Sequence, residues 1–146
     1  MKTCTKVFAD IPFAHRAPNH DGHCKLVHGH NWQLAITFYA PEQETDKNGF
    51  VLDFGKMGFI KDLLNAKFDH ALVLNVDDPL LDHFDRFLTA QGLQNITVVP
   101  DCSCEGLAQY FYDEINKLLH INTAGRVRVL RVSLQEDSKN SADYTR

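Results

Sequence analysis

An α+β fold is predicted for this chain of 146 residues by three observations. Runs that alternate apolar and polar residues lie near both ends. Runs with helical apolar spacing lie between them. The order is therefore two or three strands, then helices, then two strands, which sets helices apart from a largely antiparallel sheet. Apolar residues make up 44% and charged residues 23%, the balance of a globular chain rather than a disordered one. The length suits one domain spanning 1–146, and a subunit of this size often gains further burial by assembling.

The first strand is read over Val7 to His15. Strict alternation puts Val7, Ala9, Ile11, Phe13 and His15 on one face. Arg16 to Val27 is a loop rich in Pro, Asn, Asp, Gly and His. His28 to Phe38 is the clearest strand, with His28, His30, Trp32, Leu34, Ile36 and Phe38 on one face. Pro41 to Gly49 is a polar turn region whose Lys47-Asn48-Gly49 could close a hairpin to a third strand at Phe50 to Asp53. From Phe54 the pattern turns helical through Met57, Ile60, Leu63 and Leu64, with Asp53 as N-cap. Phe68-Asp69-His70 ends that helix.

Asp78-Pro79 reads as a second helix start, with Leu80, Leu81, Phe84, Phe87 and Leu88 on its apolar side. Ile96 to Val99 is a short strand. Ser103 precedes a strong helix striped by Leu107, Tyr110, Phe111, Ile115 and Leu118. Arg126 to Glu136 is the closing strand; on it Leu130, Val132, Leu134 and Glu136 share a face. The polar residues 138–146 are expected to form a flexible tail.

The net charge of −4 argues against nucleic acid as the main partner. Arg126, Arg128 and Arg131 alternate with apolar residues and read as a solvated strand face. No apolar run is long enough for a bilayer, so no membrane partner is expected. The first residues lack the apolar core of a signal peptide, and the chain reads as cytoplasmic. In that reducing compartment Cys4, Cys24, Cys102 and Cys104 are expected to be thiols.

His28 and His30 leave the same face of one strand, with alpha carbons roughly 6.5–7 Å apart. Two imidazoles at that spacing can converge on one ion. His15 ends another apolar face and supplies a third nitrogen if the two strands pair antiparallel. Three neutral imidazoles with one open position is the arrangement of a catalytic zinc. A lone histidine on such a face is usually a core residue; a pair joined by a third is harder to read that way. His20 and His23 lie in the polar loop, and His83 and His120 lie on or beside helices; all four read as surface residues.

Cys24 sits four residues before His28. Near a divalent cation its thiol could serve as general base or ligand; otherwise it is a packed loop thiol. Asp69-His70 is an adjacent acid and imidazole able to pass protons, although most such dipeptides are structural. Glu105 stands in a first helical turn, where the helix dipole favours an acid. Glu136 extends an apolar strand face, where an unpaired carboxylate is costly unless a ligand offers paired N–H donors.

These residues resemble a known family. Phe13-Ala14-His15 and Cys24-Lys25-Leu26-Val27-His28-Gly29-His30-Asn31 are similar to the signature of the 6-pyruvoyltetrahydropterin synthase / 6-carboxytetrahydropterin synthase family. Gly49 with Val51-Leu52-Asp53-Phe54 resembles its G-x-V-x-D-F segment, and Phe68-Asp69-His70 its D-H pair. Ser103-Cys104-Glu105-Gly106-Leu107-Ala108 resembles its T-x-E-N-L-A helix start. Leu134-Gln135-Glu136 resembles its closing strand. The resemblance covers nearly the whole chain, and C-x-x-x-H-G-H is its most specific part.

The resemblance implies the tunnelling fold, or T-fold: an antiparallel sheet with two main helices on one side. Subunits of that family close into a barrel, commonly trimers paired into hexamers, with active sites between subunits. It implies His15, His28 and His30 as ligands of Zn2+, Cys24 as general base, and Asp69 with His70 as a second proton relay. By the same resemblance Glu136 would anchor the pterin ring, and Ser103 and Glu105 would contribute to its pocket. Only three residues separate Cys24 from His28, as in the bacterial carboxy-forming branch. The implied reaction turns 7,8-dihydroneopterin triphosphate into 6-carboxy-5,6,7,8-tetrahydropterin, losing acetaldehyde and triphosphate.

A pyruvoyl-forming synthase, a dihydroneopterin lyase, and a non-catalytic metal- or pterin-binding T-fold protein are the alternatives. The chain departs from the family's N-P-T motif, reading Asp101-Cys102-Ser103. The stretch between His70 and Ser103 is also longer than in the shortest members: a lid, an oligomer contact or an ordinary insertion.

Overall fold

The computed structural model describes residues 1–146. Strand β1 (Lys2–His15) pairs antiparallel with β2 (His28–Ala40). The pairing slips between Phe8 and Ile11, where β1 carries one extra residue, and Asp10 takes a φ of 58°. This β-bulge reverses which residues face inward. Beyond it Ile11, Phe13 and His15 are buried as expected, but before it Cys4 and Phe8 pack against the core. Val7 is 47% exposed, so strict alternation over Val7 to His15 is corrected. Asn31 Nδ2 donates to Asp10 Oδ1 across the bulge at 2.9 Å, which helps hold a left-handed aspartate.

The remaining strands are β3 (Ala71–Asn75), β4 (Ile96–Val99), β5 (Arg128–Gln135) and β6 (Ser141–Thr145). The sheet order is β4-β3-β1-β2-β5-β6. The β1–β3 and β3–β4 pairs are parallel, whereas β2–β5 and β5–β6 are antiparallel. The sheet is mixed, a correction to the antiparallel expectation. Residues 50–53 form no strand; Val51 and Leu52 are buried, and Arg126 Nη1 donates to the Val51 and Glu44 carbonyls at 2.9 and 2.8 Å. The expected flexible tail is also corrected. Ser141–Thr145 pairs with β5, Ala142 is buried, and the Tyr144 ring meets Tyr112 with centroids 5.1 Å apart.

Three α-helices are present: α1 (Gly58–Lys67), α2 (Leu81–Ala90) and α3 (Cys104–Thr123). Asp53 caps a short 3₁₀ turn (Phe54–Lys56) ahead of α1 rather than α1 itself. Helix α3 packs on β5 and β6 and buries Leu107, Ala108, Phe111, Tyr112, Ile115 and Leu119. Helix α2 buries no residue fully, and Phe87 on its apolar side is 63% exposed. The main helices against the core are thus α1 and α3.

An aromatic chain ties the sheet to the helices. Phe13 stacks on Trp32 at 4.5 Å, meets Phe68 at 5.4 Å, and Phe68 meets Phe111 at 4.6 Å. Trp32 is fully buried, and its Nε1 donates to the Phe13 carbonyl at 3.2 Å. Burying each such ring contributes about 1.5–3 kcal/mol. This rigid wall stands directly behind the histidines.

Candidate metal centre

Antiparallel register puts His15 opposite His28 and Phe13 opposite His30. Three imidazoles therefore meet where β1 ends and β2 begins. Ring centroids lie 4.6 Å apart for His15–His28, 5.0 Å for His28–His30 and 5.3 Å for His15–His30. The Trp32 ring stands edge-on 5.0 Å from His15 and 5.2 Å from His30 and closes the inner side.

Neighbouring carbonyls fix two of the tautomers. His15 Nδ1 lies 2.8 Å from the Cys102 carbonyl, and His28 Nδ1 lies 2.7 Å from the Leu26 carbonyl. A carbonyl oxygen only accepts, so both Nδ1 atoms carry the proton and each Nε2 keeps a free lone pair. Burial lowers the pKa of His15 below its ordinary value, with the neighbouring His28 and His30 acting the same way; the Cys102 carbonyl and Glu136 oppose this. A buried, neutral imidazole is the form that ligates metal.

Glu136 completes the group. Its Oε1 lies 3.2 Å from His15 Nε2 and 3.1 Å from His30 Nε2. Neither contact is aligned as a hydrogen bond, and both nitrogens are buried without a hydrogen-bond partner. One donor atom from each of His15, His28, His30 and Glu136 lies within 4.8 Å of the others. Buried ring nitrogens and a carboxylate crowded about one point, with no hydrogen bond between them, fit a divalent cation.

The cluster opens into a cleft of about 600 Å³. Cys24, Ser103 and Glu105 line it together with His15, His28 and Glu136. Cys24 lies exposed in a 3₁₀ turn (His23–Lys25). The Ser103 hydroxyl caps α3 by accepting from Gly106 N–H at 3.0 Å, and Glu105 is in the first turn of that helix. Gly106 is required here, because a Cβ would lie 2.3 Å from Asp101 Cγ. Burial, with the negative Glu136 and Glu105 nearby, pushes the Cys104 thiol up to about 12. Burial also raises the Cys102 thiol. Of the three cysteines beside the cleft, Cys24 alone is exposed.

Asp69 and His70 form a pair, with Oδ1 2.9 Å from Nδ1. Both are exposed, and His70 has a φ of 59°. His70 borders a shallow depression with Phe13, His30 and Ala71, and Asp69 borders a groove beside α1. Within one chain neither lines the cleft that holds Cys24. Lys139 and Asn140 do line it. The sequence reading missed them by assigning 138–146 to a tail. The metal-facing position of Glu136 was foreshadowed by a carboxylate extending an apolar strand face. A second, more apolar cleft of about 460 Å³ lies between residues 2–4 and 49–54 and contains no histidine.

Residues 4–146 match the family described as 6-pyruvoyl tetrahydropterin synthase. The chain is 33% identical over 123 residues to a 6-carboxy-5,6,7,8-tetrahydropterin synthase of Rickettsia typhi, covering 84% of this chain and 86% of that protein. Among solved structures, an uncharacterized protein of Wolinella succinogenes superposes with a TM-score of 0.81 at 18% identity, covering 99% and 97% of the two chains. A 6-pyruvoyl tetrahydropterin synthase of Caenorhabditis elegans gives 0.65 at 21% identity, covering 99% and 95%.

Proposed function

The chain belongs to the 6-pyruvoyl tetrahydropterin synthase family, and from that premise we propose that it is a zinc-dependent lyase converting 7,8-dihydroneopterin triphosphate and water into 6-carboxy-5,6,7,8-tetrahydropterin, with release of acetaldehyde and triphosphate. The observation that carries the proposal is the convergence of His15, His28 and His30 on one point beside an exposed Cys24. The name carried by the Rickettsia relative supports the carboxy-forming branch, as does the spacing of three residues between Cys24 and His28.

Zinc held by the three imidazoles would lend Lewis acidity to the hydroxyls of the substrate side chain. Cys24 takes a proton from the adjacent carbon on the cleft side. Glu136 accepts from the pterin amino and ring N–H groups, which fixes the ring relative to the thiol. Ser103 and Glu105 shape the pocket at the start of α3. Asp69 and His70 return protons on the other side. Because they lie outside the Cys24 cleft of their own chain, they serve the cleft of a neighbouring subunit in a homo-oligomer, a trimer or hexamer.

Zinc-loaded protein incubated with 7,8-dihydroneopterin triphosphate, followed by mass spectrometry, tests the reading. The expected products are 6-carboxytetrahydropterin and acetaldehyde. A 6-pyruvoyl product would move the chain to the other branch of the family. An unconsumed substrate would leave it a binding protein.

A further inference from the structure

The metal cluster has a brace that comes from the stretch between His70 and Ser103. His15 is oriented by the carbonyl of Cys102, a residue in the loop between β4 and α3. That residue is itself held at two further points. Its N–H donates to Asn75 Oδ1 at 2.7 Å, and its thiol donates to the carbonyl of Arg16 at 3.0 Å. Asn75 is the last residue of β3, which runs parallel to β1 with Val73 opposite His15. Three residues later, Asp78 accepts from Arg16 Nε at 2.8 Å and from Leu80 N–H at 2.8 Å. Asp78 is 5% exposed, and with His15 it is one of two buried polar residues in the chain.

Resting on the metal-site reading above, we infer that Asn75 is a positioning residue for the metal ligand His15, acting through the backbone of Cys102. The Asn75 carboxamide pins the amide on one side of the Cys102 alpha carbon, and His15 reads the carbonyl on the other side. Fixing the first restricts the second, because only two backbone torsions separate them. The Arg16–Asp78 ion pair anchors the residue next to His15 to the same turn, so ligand and orienting carbonyl are tied to one end of β3. A loop carbonyl left free would allow the imidazole to rotate and its tautomers to mix. A proline at position 102, as in the N-P-T motif, would have neither the N–H nor the S–H used here. This chain joins its loop to the metal strand by side-chain hydrogen bonds instead.

Outer partners of metal-ligating histidines set affinity, and losing one typically costs about 10–100-fold. Zinc affinity measured by chelator competition tests the inference, with the unfolding transition of the metal-free protein recorded alongside. Asn75→Ala is expected to weaken zinc at least about tenfold while a cooperative transition persists. Asn75→Asp, which keeps an acceptor for the Cys102 N–H, is expected to restore most of that affinity. Wild-type affinity in Asn75→Ala, or equal losses in both variants, would overturn the inference. If Asn75→Ala does not fold, hydrogen exchange in the wild-type protein decides. A slowly exchanging Cys102 amide supports the clamp, and a freely exchanging one sinks it. A wild-type protein with no zinc affinity would instead strike at the metal reading itself.

Discussion

Glu136 has two chemical demands on one carboxylate. Its Oε1 faces His15 and His30 at 3.2 and 3.1 Å, and the same side chain borders the cleft. A ring anchor and a fourth metal ligand make different predictions. A catalytic zinc keeps one position open for substrate, which three imidazoles already allow. On the proposed reading the carboxylate is then free to accept from the N–H donors of a pterin. Glu136→Gln removes the charge and turns one acceptor into a donor. It should lower kcat/KM about a hundredfold, as expected for lost orientation, while zinc affinity stays within about threefold. A zinc affinity that falls with the activity would make Glu136 a ligand. The imidazole positions were legible in the sequence because strand alternation alone puts His28 and His30 together. What it could not give was how close Glu136, one residue past β5, comes to His15 and His30, because the pairing of β5 with β2 is a long-range contact that alternation along either strand does not specify.

At the scale of elements, legibility followed the hydrophobic period. β2 and α3 carry clean two-residue and 3.6-residue patterns; β2 was placed to within two residues of its end and α3 to its first residue. β3 reads Ala-Leu-Val-Leu-Asn and is flanked by strands on both edges; with apolar residues on both faces there is no alternation to detect. The bulge at Asp10 was hidden because an extra residue leaves no compositional mark. Phe50–Asp53 looked like a strand from its apolar residues, yet Arg126 takes up a carbonyl that a partner strand would have used. β6 was missed for the opposite reason: Ser, Asp and Thr outnumber its buried contacts. Those contacts still matter. Ala142 is buried, Tyr144 packs on Tyr112, and Arg146 Nη1 reaches Asp113 Oδ1 at 3.2 Å. Truncation after Asp137 strips this cover from α3 and leaves β5 as a sheet edge. It should cost about 2–4 kcal/mol, the scale of one or two buried side chains. Urea unfolding measures it; an unchanged midpoint would return these residues to the status of a tail.

For the whole molecule, the separation of Cys24 from Asp69–His70 is the organising fact. Proton transfer needs groups within hydrogen-bond reach of one substrate, and one chain does not place both groups in one cleft. A sheet with open edges at β4 and β6, and exposed apolar residues such as Val98 and Phe87, is suited to cover by further copies. In a closed ring each interface is the same, so if one Cys24 cleft meets a neighbour's Asp69–His70, every cleft does. This arrangement makes a prediction that a self-sufficient subunit does not. Cys24→Ala and His70→Ala should each be inactive alone while retaining zinc. Unfolded together and refolded as an equal mixture, they should regain roughly a quarter of wild-type activity. A site then works when its cleft comes from a His70→Ala chain and its relay from a Cys24→Ala chain, each chosen about half the time under random closure of a ring. Simple mixing of the assembled variants should restore far less, since subunits must exchange first. No recovery after joint refolding, with normal assembly by size, would mean that each chain supplies its own relay.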